Sequence, residues 1–199
     1  MTDVVFAYGS NMDPAQLAKE GIEASRREAA VLPGHRLVWN YRSMRWGGGA
    51  ANAEEAAGED LSGVALFVGK GALERLDRKE GHPYFYRRAP RIRLATGEQV
   101  QAWCYLVVPR RLRPEPVWPT REYLDTVIRG ARAHELPQAH VRRLEGTPTA
   151  PYSGDELPLS ISREEILSSF GKGLSEAQEE EHRRDQAAQP SKKDKGTDE

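Results

Sequence analysis

Residues 85–108 read FYRRAPRIRLATGEQVQAWCYLVV. Two β-forming runs, 85–94 and 100–108, flank Thr96-Gly97, a pair suited to a turn, so the stretch predicts an antiparallel hairpin. In the second run Val100, Ala102, Cys104, Leu106 and Val108 fall on one face, with Trp103 and Tyr105 on the other. Such a hairpin argues against a doubly wound parallel sheet, where strands alternate regularly with helices. The pattern predicts an α+β domain: a small mixed β-barrel, or strongly curled sheet, with surrounding helices.

Upstream, residues 4–7 are a short apolar run that reads as a buried strand, ended by Tyr8-Gly9-Ser10-Asn11. A helix follows from Pro14. Asp13 suits the N-cap, proline suits the first helical position, Gln16 completes a capping box and Gly21 ends it. Residues 36–41 have strand chemistry, residues 46–52 read as an irregular glycine-rich segment, and the apolar run 64–68 reads as a buried strand. Residues 72–79 predict a short helix with Leu73 and Leu76 inward, closed by Gly81 and Pro83. Downstream of the hairpin, Pro114, Pro116 and Pro119 form a stiff connection. Two helices follow, over 120–134 and 138–145.

The 199 residues are 38% hydrophobic, enough for one core, and 30% charged. The apolar residues are concentrated in a domain over 1–173. Residues 174–199 are rich in Glu, Lys, Arg and Gln, and such a segment cannot offset its ordering entropy, so it reads as a disordered tail. A net charge of −1 gives no electrostatic case for nucleic acid or an anionic membrane as partner. No apolar run is long enough to span a bilayer, and the N-terminus lacks the pattern of a signal peptide. One cysteine, Cys104, allows no intramolecular disulfide, and a reducing cytoplasm is the expected setting.

The five histidines are scattered, and no metal-ligand spacing appears, so neither metal nor cofactor is expected. Gly63 and Gly69-Lys70 imitate a phosphate loop, but the spacing is one residue too long and an apolar strand fills it. Ser10 lies in no nucleophile elbow. Gly47-Gly48-Gly49 permits close approach of backbone to a ligand; a surface loop is the alternative. Tyr8-Gly9-Ser10-Asn11, at a strand end before a capped helix, offers amides to an anionic group, the alternative being an ordinary strand-to-helix turn. Glu80 stands at a helix C-terminus. The negative end of the dipole opposes a carboxylate there, and such local mismatches are expected at functional sites, a harmless surface glutamate being the alternative.

Tyr8-Gly9-Ser10-Asn11 and, further on, Asp77-Arg78-Lys79-Glu80-Gly81 together resemble the γ-glutamylcyclotransferase-like family, which includes the AIG2-like proteins. The similarity continues through 32–37, 46–51, 63–67, 104–106 and the helix at 123–135. It covers roughly residues 3–150 and leaves out the tail. The resemblance implies a small mixed barrel and a cofactor-free reaction, in which the α-amino group of a γ-glutamyl compound attacks its own γ-carbonyl. The products are 5-oxoproline and a free amine or amino acid.

It further implies that Glu80 is the proton-shuttling residue and that the loop Tyr8, Gly9, Ser10, Asn11 and Met12 holds the glutamyl group, with Gly48 beside it. Tyr86 and Tyr105 match tyrosines near the family's pocket, with packing within the sheet as their alternative role. Met12 stands where leucine is usual. The segment after Glu80, with Pro83, Tyr84 and Phe85, is shorter than in the animal enzymes, which leaves the leaving group open. The partner implied is a small γ-glutamyl molecule, glutathione and biosynthetic intermediates included, and the state is monomer or homodimer. A non-catalytic, ligand-binding use of the same fold is the competing expectation.

Overall fold

The fifth and sixth residues of the chain, Val5 and Phe6, already belong to two different cores. They sit on β1 (Asp3–Ala7), and their side chains alternate across the sheet. The computed structural model describes residues 2–69, 71–80 and 85–150, excepting the side chain of Tyr86. The expected tail at 174–199 and the helix-closing Gly81 and Pro83 lie outside the described residues.

After β1 come a 3-10 turn (Ser10–Met12), α1 (Pro14–Lys19), β2 (Ala24–Arg42), β3 (Gly49–Val68) and α2 (Ala72–Glu80). Then follow β4 (Phe85–Arg88), β5 (Arg91–Leu94), β6 (Gln99–Gln101), β7 (Trp103–Val107), α3 (Arg121–Ala133) and α4 (Gln138–Glu145). One seven-stranded sheet runs in the order β4-β7-β1-β3-β2-β5-β6. The pairing of β1 with β7 is parallel and the others are antiparallel, so the sheet is mixed as expected.

The opening hairpin forms, but it is divided. Its first arm breaks at Ala89-Pro90 and its second at Ala102. β4 then pairs with β7 at one end of the sheet, while β5 pairs with β6 at the other. One backbone bond, Ala102 N–H to Pro90 O at 3.0 Å, joins the halves at the break. Because neighbouring residues of one hairpin occupy opposite ends of the strand order, the sheet has to curl into a half-barrel.

Burial follows from that curl. The cluster of Phe6, Tyr8, Ala30, Leu32, Ala51, Ala53, Leu61, Ala65, Ile92, Leu94, Ala102, Cys104 and Leu106 contains no helical residue. The strands themselves enclose it, and its many small side chains let them approach. Gly63 is part of this economy of space: a Cβ there would meet Ala7 O at 2.4 Å and the Phe6 ring at 2.6 Å. The other face carries Val5, Val64, Leu66, Val68 and Tyr105, and the four described helices pack against it through side chains such as Leu17, Leu76, Leu124 and Leu144. Leu17, Leu66 and Leu124 are fully buried, and each such side chain is worth about 2 kcal/mol of transfer free energy.

Asp13 caps α1 as its position suggests, accepting from the Ala15 N–H at 3.1 Å, and its second oxygen takes Arg129 of α3 at 2.5 Å. The capping box is not completed. Gln16 instead donates to Glu20 one turn on, at 3.2 Å. The larger correction concerns β3. Residues 49–52 are not irregular but open a 20-residue strand, because they ladder with β2 from Arg42↔Gly49 to Val38↔Asn52.

Candidate active site

Glu80 closes α2 and reaches across to the loop after β1, where Asn11 Nδ2 donates to its Oε1 at 2.8 Å. The two motifs, 69 residues apart, therefore meet through side chains. Lys79 Nζ donates to the Asn11 Oδ1. Burial pushes the Lys79 ammonium down from its ordinary value; Glu80 and Glu20 oppose that shift, and Arg45 adds to it.

Three tyrosines lie within electrostatic reach of Glu80. Its charge is felt at Tyr8, Tyr105 and Tyr123. Tyr8 is buried in the half-barrel and donates to Tyr105 O at 2.5 Å. Burial holds its hydroxyl well above the usual tyrosine range, with Cys104, Glu80 and Tyr123 adding to the effect. Tyr105 is raised as well, first by burial and then by its bond to Asp77 Oδ1 at 2.8 Å. Burial pushes the Tyr123 hydroxyl up to about 12, and hydrogen bonds from Ala51 and Ser10 offset part of the rise. All three are neutral donors over the physiological range.

Asp77 does not pair with Glu80. Its Oδ1 takes the Tyr105 hydroxyl from β7 and lies 3.2 Å from Arg87 Nε on β4, and the Arg87 guanidinium stacks on Trp103 at 4.8 Å. The carboxylate one turn before Glu80 thus fastens α2 to the sheet, which sets where the end of the helix lies.

The loop is built on a short turn. Met12 N–H donates to Gly9 O at 3.0 Å, and Asp13 N–H donates to Ser10 O at 3.1 Å. Gly9 is crowded: a Cβ would lie 3.0 Å from the Tyr123 hydroxyl and 3.4 Å from Ala51 Cβ. The Met12 amide is used by the turn and its side chain is fully buried in the helix-facing core, so it supports the loop from below.

Gly48 is buried too, but a Cβ there would strike Thr120 N at 2.9 Å and Trp118 O at 3.2 Å. Its close approach is to the chain's own 117–120 segment. Tyr86 pairs in register with Leu106, and its side chain is outside those described. Cys104 is fully buried and burial pushes its thiol up to about 12, which suits packing and not nucleophilic chemistry. Among the described residues, no group of three His, Cys, Asp or Glu side chains is placed to hold a metal ion. No described helix is long and apolar enough to cross a membrane.

The sequence profile of the family described as "Gamma-glutamyl cyclotransferase, AIG2-like" matches residues 5–125, well over half of the chain and both motifs. The chain belongs to this family. It is 26% identical over 170 residues to the gamma-glutamylcyclotransferase of Mus musculus, covering 83% of this chain and 88% of that protein. Against the gamma-glutamylcyclotransferase of Homo sapiens it is 25% identical over 153 residues, covering 75% and 80%. A solved structure named "Gamma-glutamyl cyclotransferase" superposes with a TM-score of 0.69 at 22% identity, over 87% of this chain and 100% of that one. YkqA from Bacillus subtilis gives 0.65 at 23% identity, over 75% of this chain and 56% of that one. These structures show a shared cyclotransferase fold.

In this AIG2-like chain, two residues beside the candidate site carry no signal in the sequence: Lys79 is one charge among several, and Tyr123 an apolar position of α3. Trp46 packs on the Tyr123 ring at 4.9 Å and Trp39 meets it edge-on at 6.1 Å, while its hydroxyl accepts from Ala51 N–H at 3.2 Å beside Gly9. Tyr123→Phe keeps the ring packing and removes that acceptor. The expected result is a stability loss of about 1–2 kcal/mol from the unpaired amide, read by urea denaturation. A loss under 0.3 kcal/mol, on the order of experimental scatter, would show that the hydroxyl does not support the loop.

Proposed function

We propose that this chain is a γ-glutamylcyclotransferase that converts a γ-glutamyl amine or amino acid to 5-oxoproline and the free amine. The observation that carries the reading is the meeting of Glu80 with Asn11 of the Tyr8–Asn11 loop at 2.8 Å. Family membership supplies the class of reaction.

The chemistry asks little of the protein beyond position and one proton. The nucleophile and electrophile share a molecule, so folding the glutamyl chain into a near-attack shape supplies much of the rate. Glu80 takes a proton from the α-ammonium. The amine nitrogen attacks the γ-carbonyl carbon, an oxyanion forms, and the attacking nitrogen, cationic once bonded to carbon, gives up its second proton to solvent. When that intermediate collapses, the bond from the γ-carbon to the leaving nitrogen breaks, and Glu80 returns its proton to that nitrogen. Amides of Gly9 and Ser10 hold the glutamyl group and stabilise the oxyanion. The hydroxyls of Tyr8, Tyr105 and Tyr123 are kept protonated by burial and add no competing negative charge near Glu80. A cytoplasmic setting suits a chain whose single cysteine is buried.

The test is a panel of γ-glutamyl amino acids, γ-glutamyl amines and glutathione, each incubated with the purified chain while 5-oxoproline is measured. Release from at least one member, with an equal amount of free amine, is the expected outcome. Binding of a member without release would leave a ligand-binding protein on the same fold.

A further inference from the structure

Asn11 stands between two groups with opposite requirements. Lys79 Nζ contacts its Oδ1, and its Nδ2 contacts Glu80 Oε1 at 2.8 Å. An ammonium can only donate, and an ionised carboxylate can only accept. Of the two amide orientations, one serves both neighbours and the other offends both. An asparagine amide has only a soft preference about χ2, so its orientation comes from its partners. Here the partners are consecutive residues on the last turn of α2. Side chains of consecutive helical residues diverge by about 100°, and the Asn11 amide fills the gap between them. Among the described residues, Glu80 Oε2 makes no hydrogen bond.

We infer that Lys79 is a positioning residue: it locks the Asn11 amide in the orientation that donates to Glu80 Oε1, and so presents Glu80 Oε2 to the amine of the substrate. The inference rests on the proposed role of Glu80. Asn11 is the contact between loop and carboxylate, so the lock also fixes the distance between the group that holds the substrate and the group that moves its proton. Without Lys79 the amide can turn its oxygen toward Glu80. The two acceptors would then repel each other, and the carboxylate would swing away from the loop.

The experiment measures kcat and KM for Lys79→Met and Lys79→Arg, each made in the native chain and in an Asn11→Ala background. Lys79→Met is expected to lower kcat between about ten- and a hundredfold, the range for a misplaced reacting group, with KM changed less than about threefold. Lys79→Arg, which keeps both donor and charge, recovers most of that loss. In the Asn11→Ala background the loss from Lys79→Met shrinks below about twofold, since the amide it orients is gone. A merely structural lysine would instead give the same loss in both backgrounds.

Full kcat in Lys79→Met, or an equal loss in both backgrounds, overturns the inference. If the unaltered chain turns over no member of the γ-glutamyl panel, the proposed reaction has failed, and the positioning is decided separately by NMR. Under the inference, the Asn11 side-chain amide protons have hydrogen-bonded shifts and slow exchange that collapse in Lys79→Met. Signals unchanged by that substitution overturn it.

Discussion

Glu80→Gln is expected to abolish 5-oxoproline release, by about 10³-fold or more in kcat, while thermal stability stays within about 2 °C of the unaltered chain. The substitution preserves shape. The new amide's oxygen can still accept from Asn11 Nδ2, the bond that now spans 2.8 Å, so the loop and the end of α2 stay in register. It loses the ability to take a proton from an ammonium and return it to a leaving nitrogen. General acid–base catalysis by a placed side chain is commonly worth 10²–10⁴-fold, about 3–5 kcal/mol of barrier, and in the proposed reaction one carboxylate serves both proton transfers. A steady-state assay with 5-oxoproline quantified directly, beside a melting curve, gives both numbers. A variant that kept a tenth of the native rate would remove Glu80 from the chemistry.

The second large effect is on the fold. Gly49→Ala is expected to cost about 3 kcal/mol or more, seen as a fall in Tm of roughly 10 °C. A Cβ at residue 49 would lie 1.7 Å from Val117 O and 2.7 Å from Val117 C, and backbone atoms cannot turn aside as a side chain can. The strand would have to withdraw from the 117–120 segment and lose the Gly49 N–H to Trp118 O bond at 2.8 Å. Thr120, at the end of that segment, caps α3 by accepting from Tyr123 N–H at 3.3 Å. Strain from residue 49 thus falls on the segment that leads into α3 and the tyrosine beside Gly9. Gly69→Ala is the control: a Cβ there meets nothing within 4 Å, so a change below about 0.5 kcal/mol is expected. Equal melting of the two variants would show that the contact at residue 49 relaxes freely.

What could be read in the sequence was whatever repeats locally. The alternation in 100–108 gave the two faces of β7 correctly, with Cys104 in the strand-enclosed core and Tyr105 toward the helices. The caps Asp13 and Thr120 are side-chain oxygens acting two or three residues away, and both helices start where such residues stand. The long partnership of β2 with β3 left little trace. Its middle carries Glu54, Glu55, Glu59 and Asp60, and these charges are solvated or paired across strands, as Arg36 is with Glu54 at 2.7 Å. Hydrophobic periodicity cannot report a strand whose side chains stay in water.

The same limit applied to the site. Tyr123 reads as core because its ring is core, and nothing in helical spacing says that its hydroxyl meets the Ala51 amide of β3. Gly48 reads as permissive backbone, yet the group that approaches it is Thr120, 72 residues later. Lys79 is ordinary until Asn11 is brought to it by the fold.

The divided hairpin has a consequence for how copies of this chain meet in solution. A sheet that ends in a long, flat strand offers a neighbouring molecule a row of unpaired amides and carbonyls, the usual start of runaway polymerisation. Here the terminal strands are β4, four residues, and β6, three residues, and arginines or glutamines stand on both. Pro90 removes one N–H donor beside them. Splitting one hairpin between the two ends of the sheet therefore leaves, among the described residues, terminal strands too short to serve as a long template for edge-to-edge pairing.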